Sequence, residues 1–436
     1  MKGIRVAHPK IKFADGELEL NPNTGLYFHK ERDERGTTKY ILGWYLRPMY
    51  VPSDKSITIA VYTEGNIKQR EIEDILDRVI NGHRLRSRTK VWEYPGIKRL
   101  FNIKIKTEFI DDINQLTLIK PDVALVVIKE ELGDDKIKLR WMLFKNLIPN
   151  KFMLLRHRYL PQHFYSIGRG LVGRVKGYIP YTIHDDAIDP IKERMGEDFS
   201  VIFIDSTRIG FLGGTLQLGT AAIVSTPEGI VEHVKIVPHR SEWDKVSAVL
   251  NELDSEDVLD TNTVVCVDGR VSEKDLDYFK HRIGQNGILV EISKESIVPR
   301  IIHEFENTKW GYGIEMESGS MYIINLTWHP HYEGITRPVS LRFRHDPFKN
   351  DLPLHRSIVK YLAWSSVLSP EAPVRPPSVP FYLHQAHLMC KLIYRFYNYL
   401  RKEARDVIKI IGEIRYLLEK LAYEKGGLSL LIHAGK

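Results

Sequence analysis

The chain has 436 residues, of which 43% are hydrophobic and 27% are charged, and its formal net charge at pH 7 is +7. This is an ordinary soluble composition, long enough for two or three domains. The two cysteines, Cys266 and Cys390, exclude a disulfide framework and a cysteine zinc site, which favours a cytoplasmic location. No run approaches the roughly 20 apolar residues of a membrane span, so we expect no membrane insertion.

Residues 1–54 predict a short region of β-hairpins. The segments 10–13 and 17–20 alternate apolar and polar residues on either side of Asp15-Gly16, a dipeptide typical of hairpin turns. Residues 39–51 predict a further strand that is rich in aromatic residues.

Residues 55–190 alternate between predicted strands and predicted helices. The strands fall at 56–62, 123–128 and 152–155, and the helices fall at 68–80, 136–147 and 162–176. This alternation predicts an α/β domain with a parallel sheet covered on both faces. Ligands of such sheets bind at the carboxyl ends of the strands.

A strongly basic stretch covers the end of this region. Residues 136–184 contain ten Lys or Arg and no Asp or Glu. A local positive field of this kind favours a polyanion site, and a phosphate could bind there at a helix N-terminus. The structural alternative is a solvated basic face.

The last region, residues 191–436, begins within a predicted domain boundary at 185–198. It contains three carboxylates that are candidates for a functional site. Asp205 and Asp268 each close a short apolar run that predicts a buried strand, and Glu242 lies between them. Ionised carboxylates at the ends of buried strands need a partner, and a shared divalent metal ion would be one. The predicted elements, three antiparallel strands followed by alternating helices and strands, are in the order of a ribonuclease H-type fold.

The motifs around these residues resemble the PIWI domain of Argonaute proteins. They are Ile-Asp205-Ser, His-Arg-Ser-Glu242, Val-Asp268-Gly-Arg-Val-Ser-Glu and His-Gln-Ala-His387-Leu. The resemblance implies a ribonuclease H-like fold with a catalytic tetrad of Asp205, Glu242, Asp268 and His387. It also implies a Mg²⁺ or Mn²⁺ site that includes Asp205, Asp268 and His387.

The preceding region resembles the MID domain, which has a Rossmann-like fold and anchors the 5′ end of a guide strand. An aromatic residue and a lysine four positions later correspond to Trp141 and Lys145. The other two positions of the family pocket correspond to Lys151 and Arg174, where the family more often has Gln and Lys. The resemblance therefore implies that these four residues bind the 5′ phosphate of a guide.

Together these resemblances cover residues 55–436 and indicate a short prokaryotic Argonaute. They imply MID at 55–190, PIWI at 191–436, a short guide RNA or DNA, a complementary target strand and a role in host defence. The family's N-terminal and PAZ domains are not matched, so we expect a separate partner protein that supplies this half or an effector. Cleavage stays open, because short members of the family are often inactive.

Other interpretations of the sequence stay open as well. The chain could be an unguided ribonuclease H-like nuclease, such as a resolvase, or a non-catalytic subunit of a defence complex. Asp205 and Asp268 could be turn residues, Glu242 could stabilise a first helical turn after Ser241, and His387 could be an ordinary residue on a helix face.

Overall fold

A computed structural model describes most of the chain. The described residues are 2–14, 16–20, 28–32, 38–42, 49, 56–64, 67–86, 90–129, 134–146, 152–157, 164–175, 179, 181–211, 214–237, 244–259, 262–294, 310–316, 319–326, 338–348, 351–368, 379–400, 409, 412–414 and 416. The strands are β1 Lys2–Arg5, β2 Lys10–Phe13, β3 Gly16–Glu19, β4 Phe28–Arg32, β5 Thr38–Leu42, β6 Ser56–Glu64, β7 His83–Arg86, β8 Lys90–Tyr94, β9 Lys104–Ile110, β10 Val123–Ile128, β11 Phe152–Arg156, β12 Thr182–Ile183, β13 Ser200–Phe211, β14 Gly214–Ser225, β15 Val231–Val237, β16 Thr263–Asp268, β17 Ile288–Ser293, β18 Tyr312–Glu315, β19 Met321–Ile324 and β20 Val339–His345. The α-helices are α1 Gln69–Asn81, α2 Ile97–Phe101, α3 Leu116–Ile119, α4 Asp134–Asn146, α5 Phe164–Val172, α6 Asp189–Met195, α7 Lys245–Ser255, α8 Glu273–Ile283, α9 Leu352–Ser365 and α10 Phe381–Leu400.

A four-stranded parallel sheet forms the centre of the first large region. Its order is β11-β10-β6-β9, and every neighbouring pair is parallel. All six residues of β10 are buried, as expected for a strand that is covered on both faces. The predicted α/β fold with a parallel sheet is therefore confirmed.

The helices lie on both faces of this sheet. The connection from β6 leads to β9 on one side of it in the strand order, and the connection from β10 leads in the opposite direction, to β11. Because such crossovers are right-handed, α1 and α4 lie on opposite faces. The contacts agree with this arrangement, since α1 packs on α2 and α5 whereas α4 packs on α10.

A nine-stranded mixed sheet forms the second large region, in the order β1-β18-β19-β20-β17-β16-β13-β14-β15. β13, β14 and β15 are antiparallel, and β13, β16 and β17 are parallel. This is the predicted ribonuclease H order. Successive side chains of β13 point to opposite faces, so Phe203 joins the core beneath α10 while Ile202 and Ile204 pack against α7 and α8.

The strands of residues 1–54 join three different sheets. β1 pairs with β18 at the edge of the nine-stranded sheet, and the predicted hairpin of β2 and β3 pairs with β12. β4 and β5 extend a sheet that also contains β7 and β8. The hairpin is held by ion pairs from Lys10 to Asp186 (2.8 Å) and from Lys12 to Asp185 (2.6 Å).

Some boundaries differ from those that the sequence predicts. β13 does not end at Asp205 but continues to Phe211, because it keeps pairing with β14 after a register shift between Ser206 and Arg208. α7 begins at Lys245, with Asp244 as its N-cap. The predicted boundary at 185–198 contains α6, with a proline in its first turn.

Among the described residues, none of the helices has the length and apolarity needed to cross a membrane.

Two glycines allow the end of α1 to pack against the end of β8. Gly82 follows α1 with a φ of 100°, and Gly96 follows β8 with a φ of 80°. A Cβ atom at Gly96 would lie 2.4 Å from the backbone nitrogen of Gly82 and from the carbonyl oxygen of Ile80. The main chains therefore meet without intervening side chains.

Replacing Gly96 by Ala should lower the free energy of unfolding by about 2 kcal/mol or more, because it adds a backbone clash to a strained φ. The matched control is Gly3→Ala, since no heavy atom lies within 4 Å of a Cβ placed there. This control should change stability by less than about 0.5 kcal/mol. Chemical denaturation measures both, and equal stabilities for the two variants would contradict the packing described here.

Candidate metal centre

Strand register brings Asp205 and Asp268 together. β13 and β16 are parallel, and their last paired residues are Ile204 and Val267. Asp205 and Asp268 are the next residues on each strand, so continuation of the register places them side by side on one face. Asp205 is only 7% exposed, and this face is the one that α10 covers.

α10 supplies the third residue of the centre. His387 lies on the turn of α10 that faces β13, and its Nδ1 is 2.8 Å from Oδ2 of Asp205. One turn later, Sγ of Cys390 lies 3.3 Å from the carbonyl oxygen of Asp205. Residues three apart share a helix face, so these two contacts fix the rotation of α10 against the strand.

The three side chains form a compact donor set. One ligand atom from each of Asp205, Asp268 and His387 lies within 4.8 Å of the others. The second oxygen of Asp205 accepts a hydrogen bond from the backbone N–H of Ser206 (2.7 Å), which fixes the orientation of the carboxylate. Two carboxylates and an imidazole suit Mg²⁺ or Mn²⁺, so the residues present fit the predicted ion.

Two lysines that the sequence pattern does not predict to be part of the site, Lys245 and Lys294, lie beside the carboxylates. Nζ of Lys294 lies 3.6 Å from Oδ2 of Asp268, and the buried Lys245 donates to the carbonyl oxygen of Asp268 at 2.8 Å. Burial lowers the pKa of Lys245, although the carboxylates of Asp205 and Asp268 oppose this effect. A lysine in the first turn of a helix is disfavoured by the helix dipole. The sequence offers no local signal for the contact of Lys245 with Asp268, because the start of α7 at Lys245 is known only from the structure.

Electrostatics at Asp268 follow from its surroundings. Burial raises the pKa of the Asp268 carboxyl, as does the nearby Asp205, while Lys294, His387 and Lys245 lower it. The net direction is upward, so the ionised form is less favourable in the folded chain than in the unfolded one. A divalent ion between the two carboxylates would remove this disadvantage.

Asp275 fixes the start of α7 close to the centre. This carboxylate is fully buried and accepts hydrogen bonds from the backbone N–H groups of Val246 (3.1 Å) and Ser247 (2.9 Å). Ser272 caps α8 by accepting from the backbone of Asp275, so that carboxylate is free to cap the neighbouring helix. The N-termini of α7 and α8 are thus joined beside the strand ends.

Two of the predicted site residues cannot be placed. Glu242 and Lys151 lie outside the described residues. Their predicted roles, as the fourth member of the tetrad and as a phosphate ligand, stay predictions.

The predicted guide-anchor residues Trp141 and Lys145 lie on α4. Trp141 is buried against Phe396 of α10, with the ring centroids 5.1 Å apart. Lys145 is exposed, with its Nζ 5.3 Å from the centre of the Trp141 ring and 3.0 Å from the carboxylate of Glu413. The structure brings these two residues together, and Lys145 is accessible to an anion.

Arg174 lies in the core rather than on a surface. It is 1% exposed, and its guanidinium donates hydrogen bonds to the carbonyl oxygens of Phe152 (3.0 Å) and Gly170. Arg140 and Arg156 are also buried, and burial lowers the pKa of Arg140 to about 10. The basic stretch is therefore not one continuous basic face, because at least three of its arginines are buried within the domain. The predicted contact of Arg174 with a phosphate stays a prediction.

Solved Argonaute structures share this fold. The Argonaute of A. aeolicus matches with a TM-score of 0.62 and 16% identity over 91% of this chain and 53% of that chain. The Argonaute of Kluyveromyces polysporus with a guide RNA matches with a TM-score of 0.64 and 11% identity over 92% of this chain and 53% of that chain. The A. aeolicus protein with externally bound siRNA matches with a TM-score of 0.57 and 16% identity over 85% of this chain and 54% of that chain.

These matches show that the chain has the fold of the MID and PIWI half of Argonautes, as the sequence predicts. The chain spans about half the length of the structures it matches. The sequence itself matches no family model and no curated protein.

Replacing Asp268 by Asn should raise the stability of the metal-free protein near pH 7 and remove its stabilisation by metal. Folding raises the pKa of the Asp268 carboxyl, so the folded chain loses stability as the pH rises from the pKa of this group in the unfolded chain to its pKa in the folded chain. An asparagine cannot ionise, so the variant does not lose this stability. In EDTA the variant should therefore melt at a higher temperature than the parent.

With Mn²⁺ at about 100 times its Kd, the parent should gain about 2.7 kcal/mol and Asp268→Asn should gain almost nothing. Asp277→Asn on the exposed side of α8 is the control and should behave as the parent. Equal stabilisation of all three proteins by Mn²⁺ would show that Asp268 holds no ion.

Proposed function

We propose that this protein binds a guide strand and uses it to pair with a complementary RNA or DNA target. The observation that carries the proposal is the convergence of Asp205, Asp268 and His387 at one point of a ribonuclease H-like sheet, in a chain that also contains the MID-like domain. Base pairing would supply sequence specificity, and the protein would contact the backbone.

The guide anchor would lie on the α4 side of the parallel sheet. Lys145 is exposed there beside the ring of Trp141, and Lys151 follows a few residues later. Lys145 pairs with Glu413 at a distance of 3.0 Å. A 5′ phosphate would have to replace this carboxylate, which is an exchange of one anion for another at an accessible site.

Asp205, Asp268 and His387 would hold Mg²⁺ or Mn²⁺, with Glu242 as the proposed fourth member of the tetrad. When bound, such ions activate the attacking water and stabilise the leaving oxygen in phosphodiester hydrolysis. Hydrogen bonds with the backbone N–H of Ser206 and with the imidazole of His387 orient the Asp205 carboxylate. Lys245 holds the main chain at Asp268. Guided cleavage of the target is the activity that this arrangement supports.

A cytoplasmic role in prokaryotic host defence, together with a partner protein, completes the proposal. The proposed partner is a separate protein that supplies an N-terminal and PAZ-like half or an effector. Co-expression with neighbouring open reading frames, followed by size-exclusion chromatography, tests for such a partner. The partner proposal fails if the chain alone binds guide and target with full affinity and retains no neighbouring product.

An unguided ribonuclease H-like nuclease is the competing function. The burial of Arg140, Arg156 and Arg174 favours it, because these residues do not contribute to an exposed phosphate surface. Sequencing of the nucleic acid that co-purifies with the chain separates the two functions. Short strands of uniform length with 5′ phosphates support a guide, and their absence supports the unguided enzyme.

Replacing Lys145 and Lys151 by Ala should weaken binding of a 5′-phosphorylated strand much more than binding of a 5′-hydroxyl strand. Each charge-assisted contact contributes about 2 kcal/mol, which is about 30-fold in Kd. Lys138→Ala is the control, because Lys138 is an exposed lysine of the same helix. Fluorescence anisotropy measures all the affinities. An equal loss of affinity for the 5′-phosphorylated and the 5′-hydroxyl strand would mean that the lysines contact the nucleic-acid backbone in general rather than the 5′ phosphate.

Replacing Asp205 by Ala should abolish cleavage of a matched target while the affinity for the guide stays within about twofold. The reason is that the variant removes a metal ligand but leaves α4 unchanged. Cleavage is measured on gels with Mg²⁺ or Mn²⁺, and guide affinity is measured in EDTA. If the parent with a bound guide and a matched target does not cleave, the protein is a binder only.

A further inference from the structure

A basic cavity lies on the side of the parallel sheet that carries α1. It has a volume of about 540 Å³ and lies between the end of α1, the start of β7 and α2. Its lining includes the cationic side chains Arg84, Lys98 and Arg99, together with Asn81, His83 and Tyr94. None of the described residues that line it is acidic.

One side of the cavity is formed at the junction of α1 and β8. Gly82, whose backbone packs directly on that of Gly96, lines the cavity there. Tyr94 is buried, and its hydroxyl donates to the carbonyl oxygen of Val79 (3.2 Å). This side of the cavity is therefore fixed by a hydrogen bond and by close backbone contact, and the cations that line the cavity belong to β7 and α2.

The sequence of this part of the chain is as basic as the stretch around the proposed guide anchor. Residues 82–106 contain eight Lys or Arg and a single acid, Glu93. The proposed guide anchor does not account for this charge, because Lys145 lies on α4, on the opposite face of the sheet. The three cations that line the cavity are exposed, so they are available to a second anionic ligand.

We propose that this cavity binds a nucleoside phosphate, either free or at the end of a nucleic-acid strand. Arg84, Lys98 and Arg99, which are exposed, would hold the phosphate. The volume falls within the usual range for small-molecule sites. This inference does not depend on guide binding or on target cleavage.

The state of His83 fits such a ligand. Burial lowers the pKa of His83, and Arg78 contributes to the shift. The lowered pKa favours the neutral imidazole, which would offer a hydrogen bond to a sugar or base rather than a fourth positive charge.

The test is binding of ATP to the full-length protein in EDTA, measured by equilibrium dialysis. ATP should bind saturably, and adenosine, which lacks phosphate, should bind at least tenfold more weakly. The double variant Lys98→Ala/Arg99→Ala should lose at least tenfold in ATP affinity with an unchanged melting temperature. The control Lys106→Ala should retain full affinity, because Lys106 is exposed and pairs with Glu108 outside the cavity (2.5 Å).

Competition identifies which form of the ligand the cavity takes. Displacement of ATP by a 5′-phosphorylated oligonucleotide, but not by its 5′-hydroxyl form, assigns the site to the end of a strand. Displacement by ADP and pyrophosphate alone assigns it to a free nucleotide.

Three results would overturn the proposal. The first is the absence of saturable binding by ATP, pyrophosphate and the phosphorylated strand. The second is an equal loss of affinity in Lys106→Ala. The third is a loss of ATP binding in Lys145→Ala, which would place the ligand at the guide anchor on α4 instead.

Discussion

Parallel pairing between β13 and β16 is the constraint on which the metal centre depends. The register ends at Ile204 and Val267, and the next residue on each strand is an aspartate. α10 then packs across β13 and places His387 against Asp205. A slip of one residue on either strand would move its aspartate to the face covered by α7 and α8.

Burial of the carboxylates makes their positive neighbours necessary. Asp205 is shielded by α10, and Asp268 lies beside Lys245 and Lys294. Lys245 contacts the main chain of Asp268, whereas Lys294 lies 3.6 Å from Oδ2 of its carboxylate. The buried Asp275 holds the start of α7, and with it Lys245, against α8. One network of short contacts thus supports both the fold and the candidate site.

The positions of Asp205 and Asp268 at strand ends can be predicted from the sequence because their signals are local, whereas the approach of His387 depends on the packing of α10. Asp268 ends an apolar run of β-branched residues, and the Gly and Arg that follow belong to the same motif. The sequence pattern does not predict the end of β13, because pairing with β14 extends the strand beyond Asp205 through polar residues. The position of β1 beside β18 depends on pairing between residues about 310 apart in the chain, which no local pattern encodes.

The environment of the basic residues at 136–184 could not be predicted from the sequence. An acid-free stretch predicts a surface, yet Arg174 is buried because backbone carbonyls of Phe152 and Gly170 accept its hydrogen bonds. Charge alone does not distinguish an arginine that binds a ligand from one that fastens a helix to a strand. Lys145 and Arg174 carry the same formal charge, and only their surroundings separate them.

X-ray diffraction from crystals soaked in Mn²⁺, with anomalous scattering used to locate the ion, shows directly whether Asp205 and Asp268 share a metal ion. We expect an anomalous peak between Asp205 and Asp268, at roughly 2 Å from an oxygen of each and within reach of His387. Absence of a peak at saturating Mn²⁺, or a peak at only one of the two aspartates, would contradict a shared metal centre.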